Sequence, residues 1–168
     1  MSETNESRIE QESSPEGAKE ITLKRATLED TDAILAVEKS LEGQKIYSAL
    51  TNREEVIEEI TKSFVYLIEQ QARVIGDVSY EMKDENHAYI SGFAVMPEFQ
   101  GRGIAKQAIK MILEQLKDVE LIDLVTHPEN EKSIKLYKSF GFQKIGEPQE
   151  NYFGDGEPRI RMVLEKKK

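Results

Sequence analysis

The most informative part of the sequence is the stretch Phe93-Ala-Val-Met-Pro-Glu-Phe-Gln-Gly-Arg-Gly-Ile-Ala-Lys106. A predicted strand ends at Pro97, and a turn that contains Gly101 and Gly103 leads directly into a predicted helix. Glycines allow backbone N–H groups to approach a ligand closely and to point in one direction. The N-terminus of the helix adds a partial positive charge. This arrangement predicts a binding site for an anion, and a pyrophosphate group fits it best.

The charges around this turn support the same prediction. Between Gln100 and Lys110 the sequence has three basic residues, Arg102, Lys106 and Lys110, and no acidic one, although the whole chain has a net charge of −9. Since the overall field of such a chain repels anions, a local basic cluster favours specific anion recognition. Two common phosphate motifs do not match: the third glycine of the dinucleotide fingerprint falls on Lys106, and the sequence contains no G-x4-G-K-[ST]. A glycine-rich turn followed by a solvated basic helix face is the alternative.

The hydrophobic pattern on both sides of the turn predicts alternating strands and helices. Alternating or continuous apolar residues predict strands around Ile21 and Leu23 and at 64–69, 73–82, 88–96, 121–126, 143–150 and 159–165. Helical spacing predicts helices at 28–41, 53–62, 104–116 and 130–140. Thr27 and Asp30 form a predicted capping box at the first helix, and Gly141 is predicted to end the last one. The order β-α-α-β-β-β-α-β-α-β-β predicts an α/β layered fold with a mixed sheet.

The composition narrows the class of protein. The chain has 168 residues, no Cys and two His, and its first 19 residues are polar and acidic. We therefore predict a disordered acidic tail at 1–19 and a single domain at 20–168. The absence of Cys excludes a disulfide scaffold and a cysteine nucleophile, and we expect no metal site. The lack of a long apolar run and the acidic charge favour a cytoplasmic protein that binds neither membranes nor nucleic acids.

Two sequence motifs resemble those of one enzyme family. Gln100-x-x-Gly103-x-Ala105 is similar to the [RQ]-x-x-G-x-[GA] motif of the GCN5-related N-acetyltransferase (GNAT) superfamily. The segment from Asn130 to Phe142 resembles the family's N-x-x-S-x-x-L-Y-x-x-x-G-F pattern, and the predicted elements match the family from residue 20 onward. The resemblance implies an α/β (α+β) fold with a mostly antiparallel, twisted sheet flanked by about four helices. Residues 151–156 are also similar to members that acetylate protein N-termini, such as the ribosomal-protein alanine acetyltransferases.

The resemblance also implies a set of site residues. It assigns cofactor binding to Phe93, Ala94, Val95, Gln100, Gly101, Arg102, Gly103, Ile104, Ala105, Lys106 and Asn130. The strand main chain would pair with the pantetheine arm of acetyl-CoA, the glycine loop would hold the pyrophosphate, and the Asn would bind the arm. Tyr137 is implied to lie near the thioester sulfur, where a phenol with a pKa of about 10 can protonate or hydrogen-bond the departing thiolate. Core packing is the other explanation for Tyr137, because it shares the apolar helix face with Ile134 and Phe140.

The base that deprotonates the amine is not identified by the resemblance. Tyr89 and Val125 occupy the two positions at which some relatives carry a Glu. An alkylammonium with a pKa of about 10.4 is about one-thousandth neutral at pH 7.4, so the reaction needs a base or a desolvating site. Besides ordered water, four side chains are candidates: Glu38, Asp77, Glu81 and His127. The glutamates at 54, 55, 58 and 59 form either a solvated helix face or the mouth of a pocket for a cationic substrate.

These observations predict an enzyme that transfers an acetyl group from acetyl-CoA to a primary amine. Without a Cys, direct attack in a ternary complex is the expected route. The acceptor is a peptide or protein N-terminus, or a small amine such as a polyamine, an amino acid or an aminoglycoside, and a homodimer is left open. Two other hypotheses are a non-catalytic acyl-CoA-binding regulatory module and an interaction domain in which the glycine loop is only a turn.

Overall fold

The computed structural model describes residues 20–166, which form seven strands and four α-helices. The strands are β1 (Thr22–Arg25), β2 (Phe64–Gln70), β3 (Arg73–Asp84), β4 (His87–Val95), β5 (Leu121–Thr126), β6 (Gln143–Gln149) and β7 (Arg159–Glu165). The helices are α1 (Thr31–Lys39), α2 (Arg53–Lys62), α3 (Ile104–Gln115) and α4 (Glu131–Ser139), with short 3₁₀ turns at Leu28–Asp30 and Pro97–Phe99. The predicted tail at 1–19 and the last two residues lie outside the described residues, so the predicted division into tail and domain stays a prediction. No helix within 20–166 is long and apolar enough to cross a membrane.

One sheet contains all seven strands, in the order β1-β2-β3-β4-β5-β7-β6. Neighbouring strands pair antiparallel, except for β4 and β5, which run parallel. Parallel neighbours need a crossover connection, and α3 provides it. The predicted element order and the predicted mixed, mostly antiparallel sheet with four helices are therefore confirmed.

Strands β4 and β5 pair over three residues each. The pairs are His87 with Leu121, Ala88 with Ile122 and Tyr89 with Asp123. Beyond Tyr89, β4 continues to Val95 and pairs there with β3. The sheet therefore opens into a cleft between the carboxyl-terminal ends of β4 and β5, and one main-chain edge of β4 faces this cleft.

Helix α3 packs against the sheet through a continuous apolar stripe. Ile104, Ala108, Ile109 and Ile112 are at most 1% exposed, and they belong to a cluster with residues of β3, β5, β7 and α4. Full burial of an Ile side chain contributes about 1.5–3 kcal/mol, so this stripe anchors α3 strongly. Smaller clusters join α1 and α2 to β2 and β4. The N-terminus of α3 is thereby held just beyond the end of β4.

Local signals at the helix ends have their predicted roles. Thr27 and Asp30 form a capping box. The Thr27 side chain accepts a hydrogen bond from the main chain of Asp30, and the Asp30 side chain accepts one from the main chain of Thr27. The box encloses a 3₁₀ turn, so α1 begins at Thr31 rather than at Leu28. Gly141 follows α4 with a φ of +101°, the left-handed conformation that commonly ends a helix.

Candidate active site

The glycine loop connects β4 to α3. Gly101 and Gly103 have φ angles of +78° and +79°, a left-handed conformation that costs other residues about 1–2 kcal/mol. A Cβ added at Gly101 would meet no atom within 4 Å, so glycine is needed there for backbone conformation and not for space. Gly103 is the N-cap of α3 and has no side chain to cap it, which leaves the first N–H groups of α3 to bind an anion. Ile104 and Ala105 turn their side chains toward the core, so they contribute main-chain groups to the loop.

Polar side chains tie this loop to β4 and add positive charge. Gln100 Nε2 donates a hydrogen bond to the main-chain oxygen of Val95 at 2.8 Å. The guanidinium of Arg102 lies over the ring of Phe99, with 5.4 Å between Cζ and the ring centroid. Lys106 is exposed in the first turn of α3. Two cations therefore lie next to the N–H groups of the loop, as a phosphate site requires.

The end of β4 presents alternate main-chain groups to the cleft. Met96 N donates to a main-chain oxygen of β3 at 2.9 Å, and Ala94 O also lies on the β3 side, next to Gly76. Backbone groups of successive strand residues point to opposite sides, so those of Phe93 and Val95 point away from β3. Of the three residues predicted to pair with an extended arm, Phe93 and Val95 face the cleft, whereas the main chain of Ala94 holds β4 to β3.

Asn130 and Tyr137 lie on the other side of the cleft, on the helix that follows β5. Asn130 is the N-cap of α4, and its Oδ1 accepts a hydrogen bond from Ser133 N at 3.3 Å, so Nδ2 is the group that the cap does not use. Tyr137 is 5% exposed, and its ring meets Phe142 edge-on with 5.5 Å between centroids. Burial raises the pKa of Tyr137 above its usual value, so the phenol stays protonated at neutral pH.

A small cavity lies between α1, α2, β3 and β4, and its lining includes the carboxyl groups of Glu38, Glu59 and Asp77. Its volume is about 70 Å³, and aliphatic side chains form much of the remaining wall. Glu38 is 2% exposed and accepts hydrogen bonds at 2.9 Å from Tyr47 Oη and from Leu50 N. The loop between α1 and α2 therefore fixes one of the three carboxylates.

Asp77 differs from the other two carboxyl groups because one of its oxygens, Oδ2, has no hydrogen-bond partner within residues 20–166. Glu59 Oε2 accepts from Ser79 Oγ at 3.0 Å and from Ser91 Oγ at 2.8 Å. Asp77 Oδ2 is fully buried, and no donor within residues 20–166 reaches it. Burial raises the pKa of Asp77 well above its usual value, and the charges of Glu38 and Glu59 raise it further. Burial and these neighbouring charges therefore favour the protonated form of Asp77 in the free protein.

The sequence indicated Glu38 and Asp77 as two separate candidates for the base. It did not indicate the groups that hold the carboxylate cluster together. Tyr47, Ser79 and Ser91 were not identified as site residues. A signal was present, because Asp77 and Ser79 place polar side chains at alternate positions of the buried part of β3, residues 75–80, whose other residues are Ile, Gly, Val and Tyr. The Glu residues at 54, 55 and 58 are exposed, so of the four helix glutamates the one at 59 lines the cavity.

A model of the acetyltransferase (GNAT) family matches residues 29–142, which is more than half of the chain and includes both sequence motifs. The chain belongs to the acetyltransferase (GNAT) family. It is 30% identical to spermidine N(1)-acetyltransferase of Escherichia coli (strain K12) over 92 residues, which are 50% of this chain and 50% of that protein. The chain thus spans about half the length of this curated relative.

Solved structures of GNAT proteins share the fold. Ard1 from Thermoplasma volcanium has a TM-score of 0.75 at 16% identity, covering 88% of this chain and 99% of that one. The ribosomal-protein-S18-alanine N-acetyltransferase from Escherichia coli has a TM-score of 0.72 at 19% identity, covering 87% and 94%. These likenesses confirm the fold that the sequence motifs predicted.

The two positions at which the resemblance implies a Glu in some relatives hold side chains of other chemistry in this GNAT domain. Tyr89 lies in β4, where burial raises the pKa of its phenol, and Val125 lies in β5. The candidate Glu81 pairs with Tyr89, at the end of β4 that still pairs with β5, and its Oε2 lies 3.6 Å from Lys83 Nζ. Glu81 is therefore distant along the strand from the open part of the cleft.

His127 acts as a structural link in this GNAT domain. It is 1% exposed, its Nδ1 accepts from Glu129 N at 3.0 Å, and its Nε2 lies 2.7 Å from Glu157 Oε1. Because Nδ1 accepts, the ring proton is on Nε2, which donates to Glu157. Nδ1 thus fixes the turn between β5 and α4, and Nε2 holds the β6–β7 loop against the end of β5. The two base candidates that line the cavity are better placed to meet a substrate.

Proposed function

We propose that this GNAT domain transfers the acetyl group of acetyl-CoA to a primary amine by direct attack in a ternary complex. The observation that carries the proposal is the continuity of the glycine loop with the open edge of β4. The loop offers N–H groups to a pyrophosphate, and the strand edge offers alternate donors and acceptors to the amides of a pantetheine arm. Since the two features are adjacent in the chain, one extended ligand can occupy both.

The donor would be held by residues from both sides of the cleft. Residues 100–106 would bind the pyrophosphate, with Arg102 and Lys106 adding positive charge. Phe93 and Val95 would bond the pantetheine amides, and Asn130 Nδ2 would reach the arm from α4. The phosphate loop follows the carboxyl-terminal end of β4, so the arm would run back along β4 and leave the thioester near its middle.

The proposed chemistry uses groups with suitable protonation states. The amine loses one proton, its nitrogen attacks the thioester carbonyl carbon, a C–N bond forms, and the C–S bond breaks. The second proton then leaves nitrogen, so that one of the two protons ends on sulfur and the other in solvent. Tyr137 is proposed to donate to the departing sulfur, because its buried phenol is protonated. A cavity carboxylate or ordered water would accept the proton of the amine, and no metal is required.

The acceptor class includes peptide N-termini and small amines. The names of the relatives include both kinds of acceptor. One relative is a spermidine N(1)-acetyltransferase, and another is a ribosomal-protein-S18-alanine N-acetyltransferase. An α-amine has a pKa of about 7.7–8.0 and needs little help to lose its proton, whereas an alkylamine needs an acidic or desolvating site. A cytoplasmic location belongs to the same proposal.

Calorimetry of acetyl-CoA binding tests this function first, with desulfo-CoA and NAD as comparisons. We expect saturable binding of acetyl-CoA and desulfo-CoA and none of NAD. Amines and peptides are then screened by thiol release, to which a chain without Cys adds no background. Donor binding without thiol release from any acceptor would instead support a non-catalytic acyl-CoA-binding module. No binding at millimolar ligand would refute both and leave an interaction domain.

A further inference from the structure

The carboxylate cavity has the features of a cation site. Asp77 is 5% exposed, lines the cavity and has an Oδ2 that no donor within residues 20–166 reaches. Buried carboxyl oxygens are almost always hydrogen-bonded, so an unpartnered one points to a missing donor. A bound ammonium group would supply that donor.

The neighbouring carboxylates are held so that their charge faces the same space. Glu38 is fixed from the α1–α2 loop, and Glu59 is fixed by two serine hydroxyls. Lys62 lies beside this group, and its exposed Nζ is 3.9 Å from Glu59 Oε1. A solvated lysine adds one positive charge beside three carboxyl groups, so the cavity still favours a positively charged ligand.

The remaining wall of the cavity is apolar. It is formed largely by Ile34, Leu50, Val56, Ile60 and Val65. A volume of about 70 Å³ is room for about two water-sized groups, which matches an ammonium nitrogen and the first methylene of an alkyl chain. Within residues 20–166 no group of three or more His, Asp or Glu side chains is arranged to hold a metal. The combination of carboxylates and aliphatic walls suits an alkylammonium better than a bare metal cation.

The cavity also lies where an acceptor is needed. Ser91 and Gly92 line it, and they directly precede the β4 segment that would bond the pantetheine arm. The register of β3 and β4 shifts here, since Ser79 pairs with Gly92 and Tyr80 pairs with Ile90, which leaves Ser91 as an extra residue. This bulge turns Ser91 toward Glu59. The cavity is therefore beside the part of β4 that the thioester would reach.

We infer that this cavity binds the primary ammonium head of an unbranched aliphatic amine, with Asp77 Oδ2 as its hydrogen-bond acceptor and Glu38 and Glu59 as further negative charge. The inference rests on the proposed function and selects its acceptor. A peptide N-terminus carries a side chain and a carbonyl on the carbon next to its nitrogen, and the narrow, acidic cavity disfavours both. A diamine or polyamine presents an ammonium head followed by bare methylenes, which fits the carboxylates and the aliphatic wall.

Calorimetry on the full chain with CoA present tests the inference. The probe is 1,4-diaminobutane, with uncharged 1,4-butanediol and an alanine-initiated tetrapeptide as comparisons. We expect saturable binding of the diamine alone. Asp77→Asn should weaken it at least about tenfold, the effect of losing one charge-assisted hydrogen bond. Glu58→Gln removes the same charge one residue from Glu59 but lies outside the cavity, so it should leave the affinity within about twofold.

The outcomes separate this inference from the proposed function. Suppose that peptides or amines cause thiol release, but that the diamine does not bind or binds independently of Asp77. This result overturns the inference and leaves the proposed function in place. Diamine binding that depends on Asp77, without thiol release from any acceptor, supports the cavity assignment and overturns the function. Circular dichroism checks the fold of each variant, and Glu59→Gln replaces Asp77→Asn if the latter does not fold. Asp77-dependent binding of the peptide instead of the diamine would overturn the choice of acceptor.

Discussion

At the scale of single residues, Tyr137 carries the sharpest expectation for the reaction. Tyr137→Phe removes the hydroxyl and keeps the ring packed against Phe142. If the phenol donates to the departing thiolate, kcat should fall about 10- to 100-fold, toward the lower end of general acid catalysis because a thiolate leaves readily. Thiol release measures kcat, and calorimetry should show acetyl-CoA affinity within about twofold of the original. An unchanged kcat would remove Tyr137 from the mechanism and leave it as a core residue.

Asp77 should lower the stability of the free protein at neutral pH. Carboxyl groups from α1 and α2, Glu38 and Glu59, face it together with the hydroxyl of Tyr47, and burial with these charges raises the pKa of Asp77. In the unfolded chain an Asp ionises near pH 3.9. Between that pH and the raised native pKa, the unfolded state binds fewer protons than the native state. The free energy of unfolding therefore falls as pH rises through this range and is constant above it.

Asp77→Asn should remove this loss of stability, because an amide resembles the protonated carboxyl. We expect the Tm of the variant at pH 8 to be several degrees above that of the original protein, since 1 kcal/mol corresponds to about 2–4 °C for a domain of this size. At pH 5 we expect a smaller increase in Tm. Thermal unfolding at the two pH values measures the difference. A variant that is less stable at pH 8 would show that the carboxylate is ionised and well partnered in the native protein. Gain of stability with loss of diamine binding would mark Asp77 as a group kept for binding.

At the scale of secondary-structure elements, a substitution in the glycine loop and a matched one outside it distinguish backbone strain from ligand binding. Gly101 and Gly43 have φ angles of +78° and +86°, and an added Cβ meets no atom within 4 Å at either position. Substitution by Ala should therefore destabilise both variants by about 1–2 kcal/mol, the cost of a left-handed L-residue. Only Gly101→Ala should also weaken acetyl-CoA binding, by about tenfold or more, because it disturbs N–H groups that would hold the pyrophosphate. Equal affinities of the two variants in calorimetry would contradict the phosphate-loop assignment.

Elements with strong local signals were predictable from the sequence. The predicted ranges 53–62, 121–126 and 159–165 coincide with α2, β5 and β7, because the pattern of apolar residues within each segment indicates its type. The turn between β2 and β3 was less well predicted. A three-residue connection was expected, but β2 includes Gln70, and Gln71 and Ala72 make the turn with φ angles of +51° and +62°. Tight hairpins of this kind usually carry Asn or Gly, so nothing in the residue types at 71 and 72 indicated two left-handed residues there.

At the scale of the whole molecule, the sequence could not reveal features that depend on distant segments. The carboxylate cavity joins Glu38, Glu59 and Asp77 from three elements, and no local pattern relates them. The early separation of β4 from β5 likewise depends on how the crossover through α3 packs. Family motifs anticipated the loop and α4, because those residues are contiguous in sequence. The base was not predictable, since the two positions that the resemblance suggests for it hold Tyr89 and Val125.

The cleft divides the sheet into two parts, and a ligand that contacts both should stabilise the whole domain. Strands β1–β4 and β5–β7 are joined through three residue pairs, with the glycine loop on one side and Asn130 and Tyr137 on the other. At a concentration 100 times its Kd, acetyl-CoA should raise the free energy of unfolding by about 2.7 kcal/mol and Tm by about 5–10 °C. Hydrogen exchange should then slow at residues 90–95 and also in α4, since opening of either part would break contacts with the ligand. Slowing confined to the glycine loop would show that acetyl-CoA does not connect the two parts of the sheet and that α4 does not contact it.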